Sequence, residues 1–453
     1  MTTSPQSHRF YIAFLLFFGG LGGMLYGYDI GVISGALLFM NNELGLTAHH
    51  ESLIVASVLF GGALATLVTG FLADMFGRKK IIIASSIIFL IGLLLIIKAD
   101  SFMAVLIARL IQGAGIGMEI IVLPLYLTET MPKALRGRSV TLFQLFLTMG
   151  IVLAYFVNFI FTPSGNWRDM FLCVFFPGAL LLVGAFIATE SPRWLYSKNK
   201  KNQAYTALLK TRELTEAEYD LDEMKMLSNK QHNIVQKFQR YQLLPFVIAL
   251  SIACLNQLTG INSVLQFGAT ILKSAGLNSN ITATLGTVGV GVINMLATVL
   301  ALILIDKVGR KILLSIGTAG VVCSLIFLGW ISATGTASIH DGYLILIGLI
   351  CYIAFFAVGP GVVVWLAISE LLPMSIRGKG MAICLFVNCL VSAILASFFT
   401  TLVSQIHYSG VFFLCAGFTA IYFLIAVLLL PETKNKSLED IELYFQHKHE
   451  KKI

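Results

Sequence analysis

Three ionisable residues stand inside otherwise apolar stretches of the chain: Asp29, Arg109 and Glu119. If those stretches cross a bilayer, a charge at the centre of one costs at least ~2.5–3.5 kcal/mol, so each is a functional suspect. Asp29 closes a glycine-rich run, GGLGGMLYGYD, whose glycines permit close helix contact or local unwinding. An arginine does not shed its proton, which makes Arg109 the natural partner of that acid. A buried Asp–Arg pair that opens when the acid is protonated is a proton switch. The plainer alternative is a static tie between the first and fourth apolar stretches. Glu119 lies ten residues beyond Arg109, about 15 Å further along a helix and roughly 80° around it. It reads as a second titrating site, a solvated cavity wall or a member of a charge cluster at the helix end, the last two being favoured.

A second set of polar residues is uncharged. Gln144, Asn256, Gln257, Asn262, Asn294 and Asn388 all fall within apolar stretches, where an amide is costly unless hydrogen-bonded. An amide both donates and accepts, which suits a ligand with hydroxyls all round. Trp365, just after Gly359-Pro360-Gly361, offers the aromatic platform such a ligand also uses. Interhelical glue is the competing use of buried amides.

A third set sits in short loops and occurs twice, in the same order. Asp74-x-x-Gly-Arg78-Lys is echoed by Asp306-x-x-Gly-Arg310-Lys. Glu129-x-x-Pro-x-x-x-Arg136-Gly is echoed by Glu370-x-x-Pro-x-x-x-Arg377-Gly. Glu190-Ser-Pro-Arg193 has its counterpart in Glu432-Thr-Lys434. The second copies follow the first at nearly constant separation, the mark of a duplication. These acids and arginines read as gating latches, because partly desolvated charge pairs are worth more than surface pairs yet remain breakable. Mere topology anchors are the alternative.

The elements that must hold these groups follow from composition. Of 453 residues, 57% are hydrophobic and 12% charged. A soluble domain carries about 25% charged residues, so this chain cannot dress its surface for water. A bilayer crossing needs about 20 mostly apolar residues. Twelve stretches qualify, near 10–40, 52–73, 81–97, 103–127, 139–162, 167–189, 243–272, 281–305, 312–334, 342–369, 380–404 and 409–430. The expected fold is therefore an all-α membrane protein of 12 transmembrane helices. The repeated loop signatures all fall on one side, which makes two six-helix halves parallel repeats about an axis along the membrane normal. The expected division is an N-terminal segment (1–9), a first bundle (10–189), linker helices (190–241), a second bundle (242–430) and a tail (431–453).

The net charge of +8 is no nucleic-acid signature. The basic residues gather in alternate loops, the linker and the tail, whereas the opposite loops hold only Lys98, Arg168 and Lys273. That asymmetry places both termini in the cytoplasm. The first stretch is too long, carries Asp29 and lacks a cleavage site, so it does not read as a signal peptide. Seven cysteines form no CxxC pair, so neither a disulfide framework nor a zinc site is expected. No cofactor is implied. All eight histidines read as lying outside the apolar stretches, and no nucleophile–base pair or phosphate loop suggests an enzyme.

The runs GFLADMFGRKK, RLIQGAGIG through YLTETMPKALRGR, ESPRWL, QLTGIN, LIDKVGRK, SELLPMSIRGKG and PETKNKSLE together resemble the sugar porter family of the major facilitator superfamily, most nearly the bacterial xylose–proton and galactose–proton symporters. That resemblance implies the major facilitator fold, alternating access and a monosaccharide plus a proton as partners. It also implies residence in the cytoplasmic (inner) membrane, with a monomer as the default and no obligate protein partner. It assigns the proton-coupling positions to Asp29 and Arg109, and sugar contacts to Gln257, Asn262, Gln144, Asn294 and Trp365. Several positions depart from the family pattern. Glu119 replaces a small neutral residue, Asn256 a common Gln, Gln266-Phe267 a frequent Tyr-Tyr pair, Cys389 a Trp, and Tyr26 a Phe. An aromatic wall is lost and amides are gained, so xylose, galactose, glucose, arabinose and myo-inositol all stay open. Passive sugar uniport, carriage of another small solute and a transporter-like sensor are the rival readings. A sensor needs a signalling tail longer than the expected one.

Overall fold

The computed structural model describes residues 5–231, 239–373, 376–434, 436 and 438–450. Residues 232–238 of the expected linker, His232 among them, and the chain ends 1–4 and 451–453 lie outside the described residues. Among the described residues every regular element is a helix.

The first half runs through α1 (Pro5–Leu44), α2 (Ala48–Phe76), α3 (Arg78–Ile97), α4 (Phe102–Thr130), α5 (Arg136–Phe161), α6 (Trp167–Leu172) and α7 (Phe175–Ile187). Side-chain caps start several of these helices. Thr47, Ser101 and Asn166 each accept a hydrogen bond from a first-turn N–H, replacing a partner the helix itself cannot supply. Gly77 joins α2 to α3 at φ 103°, a backbone angle that side-chain-bearing residues rarely adopt. Pro132 lies just past the end of α4, where a helix cannot continue.

The linker forms α8 (Pro192–Ser197), α9 (Lys201–Leu208) and α10 (Leu214–Gln231). The second half follows as α11 (Leu243–Leu258), α12 (Ile261–Gln266), α13 (Gly268–Ser274), α14 (Asn280–Val308), α15 (Arg310–Thr334), α16 (Ile339–Phe356), α17 (Val362–Leu371) and α18 (Arg377–Leu428). A tail helix, α19 (Leu438–Glu450), ends it. Gly309 joins α14 to α15 at φ 107°, repeating the Gly77 turn of the first half.

Among the described residues, eleven helices or helix groups are long and apolar enough to cross a membrane. The last, α18, turns back at His407 (φ 58°, ψ 171°) and so holds two crossings, giving twelve. Three expected single crossings are broken. The sixth divides between α6 and α7. The seventh breaks at Gly260, in the left-handed region at φ 86°. The tenth passes through a π-helical turn, Ala357–Gly361, that contains Pro360.

The helices also outrun the apolar stretches that announced them. His49, His50 and His340 lie in first helical turns, His8 at the start of the first span and His407 at the turn within α18. The expectation that the histidines lie outside the spans is thus corrected, although those within a span helix stand at its end. The glycines of α1 serve contact and not unwinding, since α1 is one continuous helix. A side chain at Gly27 or Gly31 would strike the backbone of α5 around Leu147 and Ile151.

Candidate functional site

The ion pair forms where α1 meets α4. Arg109 Nη1 donates to Asp29 Oδ1 at 2.5 Å, and the two side chains are 0% and 2% exposed. The same nitrogen donates to Gln112 Oε1 at 3.1 Å, and the guanidinium carbon stands 5.5 Å from the centre of the Phe171 ring on α6. A permanently positive group with an acid and an amide as its acceptors can hold or release that acid, as a proton switch requires.

Glu119 does not join this pair. It is 1% exposed, and neither carboxyl oxygen has a hydrogen-bond partner. The two favoured readings of this residue are thereby corrected. It is not a solvated wall, and Glu129, not Glu119, meets the arginine at the helix end. The ten-residue step along α4 is the physical reason, for it turns Glu119 off the Arg109 face.

The amides gather in the second half, where two helices are broken. Gln257 Nε2 donates to Asn388 Oδ1 at 3.1 Å, and Asn262 Nδ2 donates to Gln257 Oε1 at 3.0 Å and to Ser392 Oγ at 2.8 Å. Asn388 Nδ2 donates to the Ala253 carbonyl at 2.8 Å. Asn256 Nδ2 donates to the Pro360 carbonyl at 3.3 Å, supplying a partner to backbone at the π turn. The breaks at Gly260 and Pro360 therefore bring side chains of α11, α12 and α18 into one polar cluster. Trp365, half-buried on α17, packs against the core of the second half.

Gln144 on α5 is half-buried and Asn294 on α14 is buried, and their side-chain amides take no hydrogen bond among the described residues. Gln266 is buried with its Oε1 unpartnered. Tyr26, one turn before Asp29, lies within electrostatic range of both Asp29 and Cys389, the neighbour of Asn388.

Hydrogen bonds between the halves gather at the end of the bundle remote from the chain termini. Ser52 and Thr400 share a hydroxyl bond at 2.6 Å, and Thr400 Oγ1 also donates to the Ala48 carbonyl. Ser34 Oγ accepts from the Ala269 N–H, Tyr155 donates to the Leu265 carbonyl, and Thr162 donates to Thr284. The bundle is closed at this end.

At the terminus end the loop signatures assemble within each half. Arg78 meets Glu129 at 2.9 Å and Asp74 at 2.9 Å. Glu129 also accepts from the Ser191 hydroxyl. Glu190 Oε1 accepts the N–H groups of Arg78, Lys79 and Ser191, as a helix N-terminus invites. Burial pushes the Glu190 carboxyl above its ordinary range, and those N–H groups pull it back. The second half repeats the plan more loosely. Arg310 meets Glu370 at 3.3 Å and Asp306 at 3.4 Å, and Glu432 accepts the N–H groups of Arg310 and Lys311.

Arg136 and Arg377 do not pair with the glutamates of their own signatures. Arg136 caps the Met131 carbonyl and Arg377 the Leu372 carbonyl, because the last carbonyls of α4 and α17 lack helical partners. Arg193 is exposed, with no hydrogen bond or ion pair among the described residues. Sequence reasoning passed over Gln112, although a glutamine three residues after a buried arginine shares its helix face. It also missed the hydroxyls of Ser191 and Thr433, each following the glutamate of a duplicated signature, and the linker clamp. In that clamp Arg212 donates to the Thr130 and Met131 carbonyls, and its Nε lies 2.7 Å from Asp220.

A family model described as "Sugar (and other) transporter" matches residues 15–445. The chain belongs to the sugar transporter family. Members of this sugar porter branch are transporters and not enzymes. The chain is 38% identical over 429 residues to the putative metabolite transport protein YwtG of Bacillus subtilis, covering 94% of each chain. It is 32% identical to the galactose–proton symporter of Escherichia coli K12, covering 96% of this chain and 95% of that one. A partially occluded inward-open structure of the xylose transporter XylE from E. coli superposes with a TM-score of 0.82 at 27% identity, covering 94% and 99%. The sugar porter chain described here thus has the major facilitator fold, twelve crossings in two repeated halves.

Proposed function

We propose that this sugar porter couples the entry of one monosaccharide, a pentose, a hexose or a related polyol, to the entry of a proton across the cytoplasmic membrane. The observation that carries the reading is the Asp29–Arg109 contact at 2.5 Å between side chains 2% and 0% exposed. Protonation of Asp29 removes the charge that holds Arg109, so the α1–α4 contact weakens when the proton arrives. If the sugar favours the same conformer, each ligand raises the affinity of the other.

Gln257, Asn262, Asn388 and Asn256 are assigned to the sugar hydroxyls, with Gln144 and Asn294 facing them from α5 and α14 and Trp365 as the platform. Gln266 and Tyr26 complete the wall. The doubled clusters around Arg78 and Arg310 act as gates on the cytoplasmic side, an orientation of the termini that the basic loops support. A bundle closed at the far end corresponds to the inward-facing half of an alternating-access cycle, and one bundle pair suffices as a monomer. The galactose–proton symporter and the xylose transporter among its relatives support the substrate class.

The deciding experiment is transport in proteoliposomes with a panel of D-xylose, D-galactose, D-glucose, L-arabinose and myo-inositol. Asp29→Asn is expected to abolish uptake driven by a pH gradient while leaving exchange counterflow of the same sugar. Undiminished pH-driven accumulation in that variant defeats the symport reading and leaves passive uniport.

A further inference from the structure

Once Asp29 is neutral, a guanidinium buried at 0% exposure needs another acceptor, because an unpaired buried charge is the costliest state available. Arg109 carries five N–H groups, yet only Nη1 is engaged; Nε and Nη2 are buried without partners. Among the described residues, one acceptor other than Asp29 reaches it: Gln112 Oε1, at 3.1 Å from the same Nη1. Gln112 is itself 1% exposed, and its Nε2 has no partner. An amide buried with its donor unused and its acceptor on a cation is oriented by that cation.

We infer that Gln112 is the positioning residue of the proton switch, taking over the Arg109 guanidinium when Asp29 is protonated. This deepens the symport reading above and rests on it. The Nη1 proton shared between Asp29 Oδ1 and Gln112 Oε1 shifts toward Gln112 as the acid accepts its proton. No covalent bond to carbon, nitrogen or oxygen changes except the O–H formed on Asp29. Gln112 therefore stabilises the protonated state of the pair, and removing it favours the ionised state.

Other groups near the pair do not perform this task. On α1, Tyr26 and Tyr28 flank Asp29, and the Tyr28 hydroxyl donates to the Met170 carbonyl. Cys173 lies by Tyr28, and Cys389 approaches Tyr26 from α18. Phe171 offers Arg109 a ring face but no lone pair. On α4 itself, Glu119 is the next titratable residue, ten positions on. The packed stretches 52–73 of α2 and 81–97 of α3 hold no titratable residue, and α5 from 139 to 161 contributes only Tyr155, which donates to Leu265.

The test needs no knowledge of the sugar, because the proton is the ligand measured. Full-length protein in proteoliposomes is titrated by infrared spectroscopy, following the protonated-carboxyl band that disappears in Asp29→Asn. In Gln112→Met, which keeps length and loses the acceptor, the midpoint is expected about one pH unit lower, a tenfold loss of proton affinity. Gln112→Asn, with a shorter reach, is expected to fall between Met and wild type, and it keeps the test alive if the Met variant fails to fold. A merely structural amide moves stability and expression but not this midpoint. A midpoint within about 0.2 units of wild type in both variants overturns the role of Gln112 while leaving the switch intact. Absence of any band lost in Asp29→Asn overturns both.

Discussion

The two halves share a helix plan and a set of loop signatures, yet their interiors are chemically unlike. The first encloses charge: Asp29, Arg109 and Glu119, all at most 2% exposed. The second encloses neutral amides joined in a chain, Asn262 to Gln257 to Asn388. On the proposed function, the difference matches what each interior would handle. A proton is captured by a single titratable group with a fixed countercharge, and burial strengthens that pairing. A sugar is held by several weak neutral bonds, each worth about 0.5–1.5 kcal/mol net, so the amides must be numerous and mutually satisfied while they wait. Duplication supplied two similar frames whose buried polar residues differ in kind.

Breaking the charged interior should have the larger effect. Arg109→Leu strands Asp29 opposite an apolar wall, and removal of one partner from a buried pair costs about 3–5 kcal/mol. We expect loss of pH-driven uptake together with a lower unfolding temperature in detergent. Asp29→Asn added to it should restore much of the stability but none of the coupling. If the double variant melts as low as the single one, the pair is not the source of the loss.

The amide interior should yield a smaller and separable effect. Gln257→Leu breaks the amide chain and removes one donor and one acceptor that the proposal gives to sugar hydroxyls. At about 1 kcal/mol each, the sugar should bind roughly 10- to 30-fold more weakly. Sugar-induced tryptophan fluorescence reads this directly. The infrared midpoint of Asp29 should stay unchanged without sugar, and a shift there would contradict the division between halves.

The smallest contrast lies between the two loop clusters. Arg78–Glu129 at 2.9 Å is tighter and drier than Arg310–Glu370 at 3.3 Å. Arg78→Ala should therefore destabilise the protein more than Arg310→Ala, by about 1 kcal/mol. Equal melting shifts for the two variants would make the duplication energetically symmetric.

What sequence alone made legible follows from the same physics. Asp29 and Arg109 stood out because ionisable groups are conspicuous in apolar runs, and two such residues invite pairing. Twelve crossings were readable because the bilayer imposes a length. The breaks at Gly260 and Pro360 were hidden, since an apolar run looks the same whether its helix is straight or interrupted. The partner of Glu129 was also hidden. Its neighbour in sequence, Arg136, is drawn off to cap the end of α4, and Arg78 arrives from another loop. Gln112 escaped because a neutral amide draws attention only when its cation is already placed. The environment of Glu119 depended on which face of α4 packed inward, which helical spacing could bound but not decide.

The closure at the far end consists of hydroxyl and backbone bonds, with no ion pair among those that cross the halves there. Such bonds are not weakened by dissolved salt as exposed charge pairs are, and serine and threonine hydroxyls do not titrate in the physiological range. In the proposed cycle, these bonds themselves hold alike in brine or fresh medium. What it exposes inward, and when, is left to be decided deeper in the bundle.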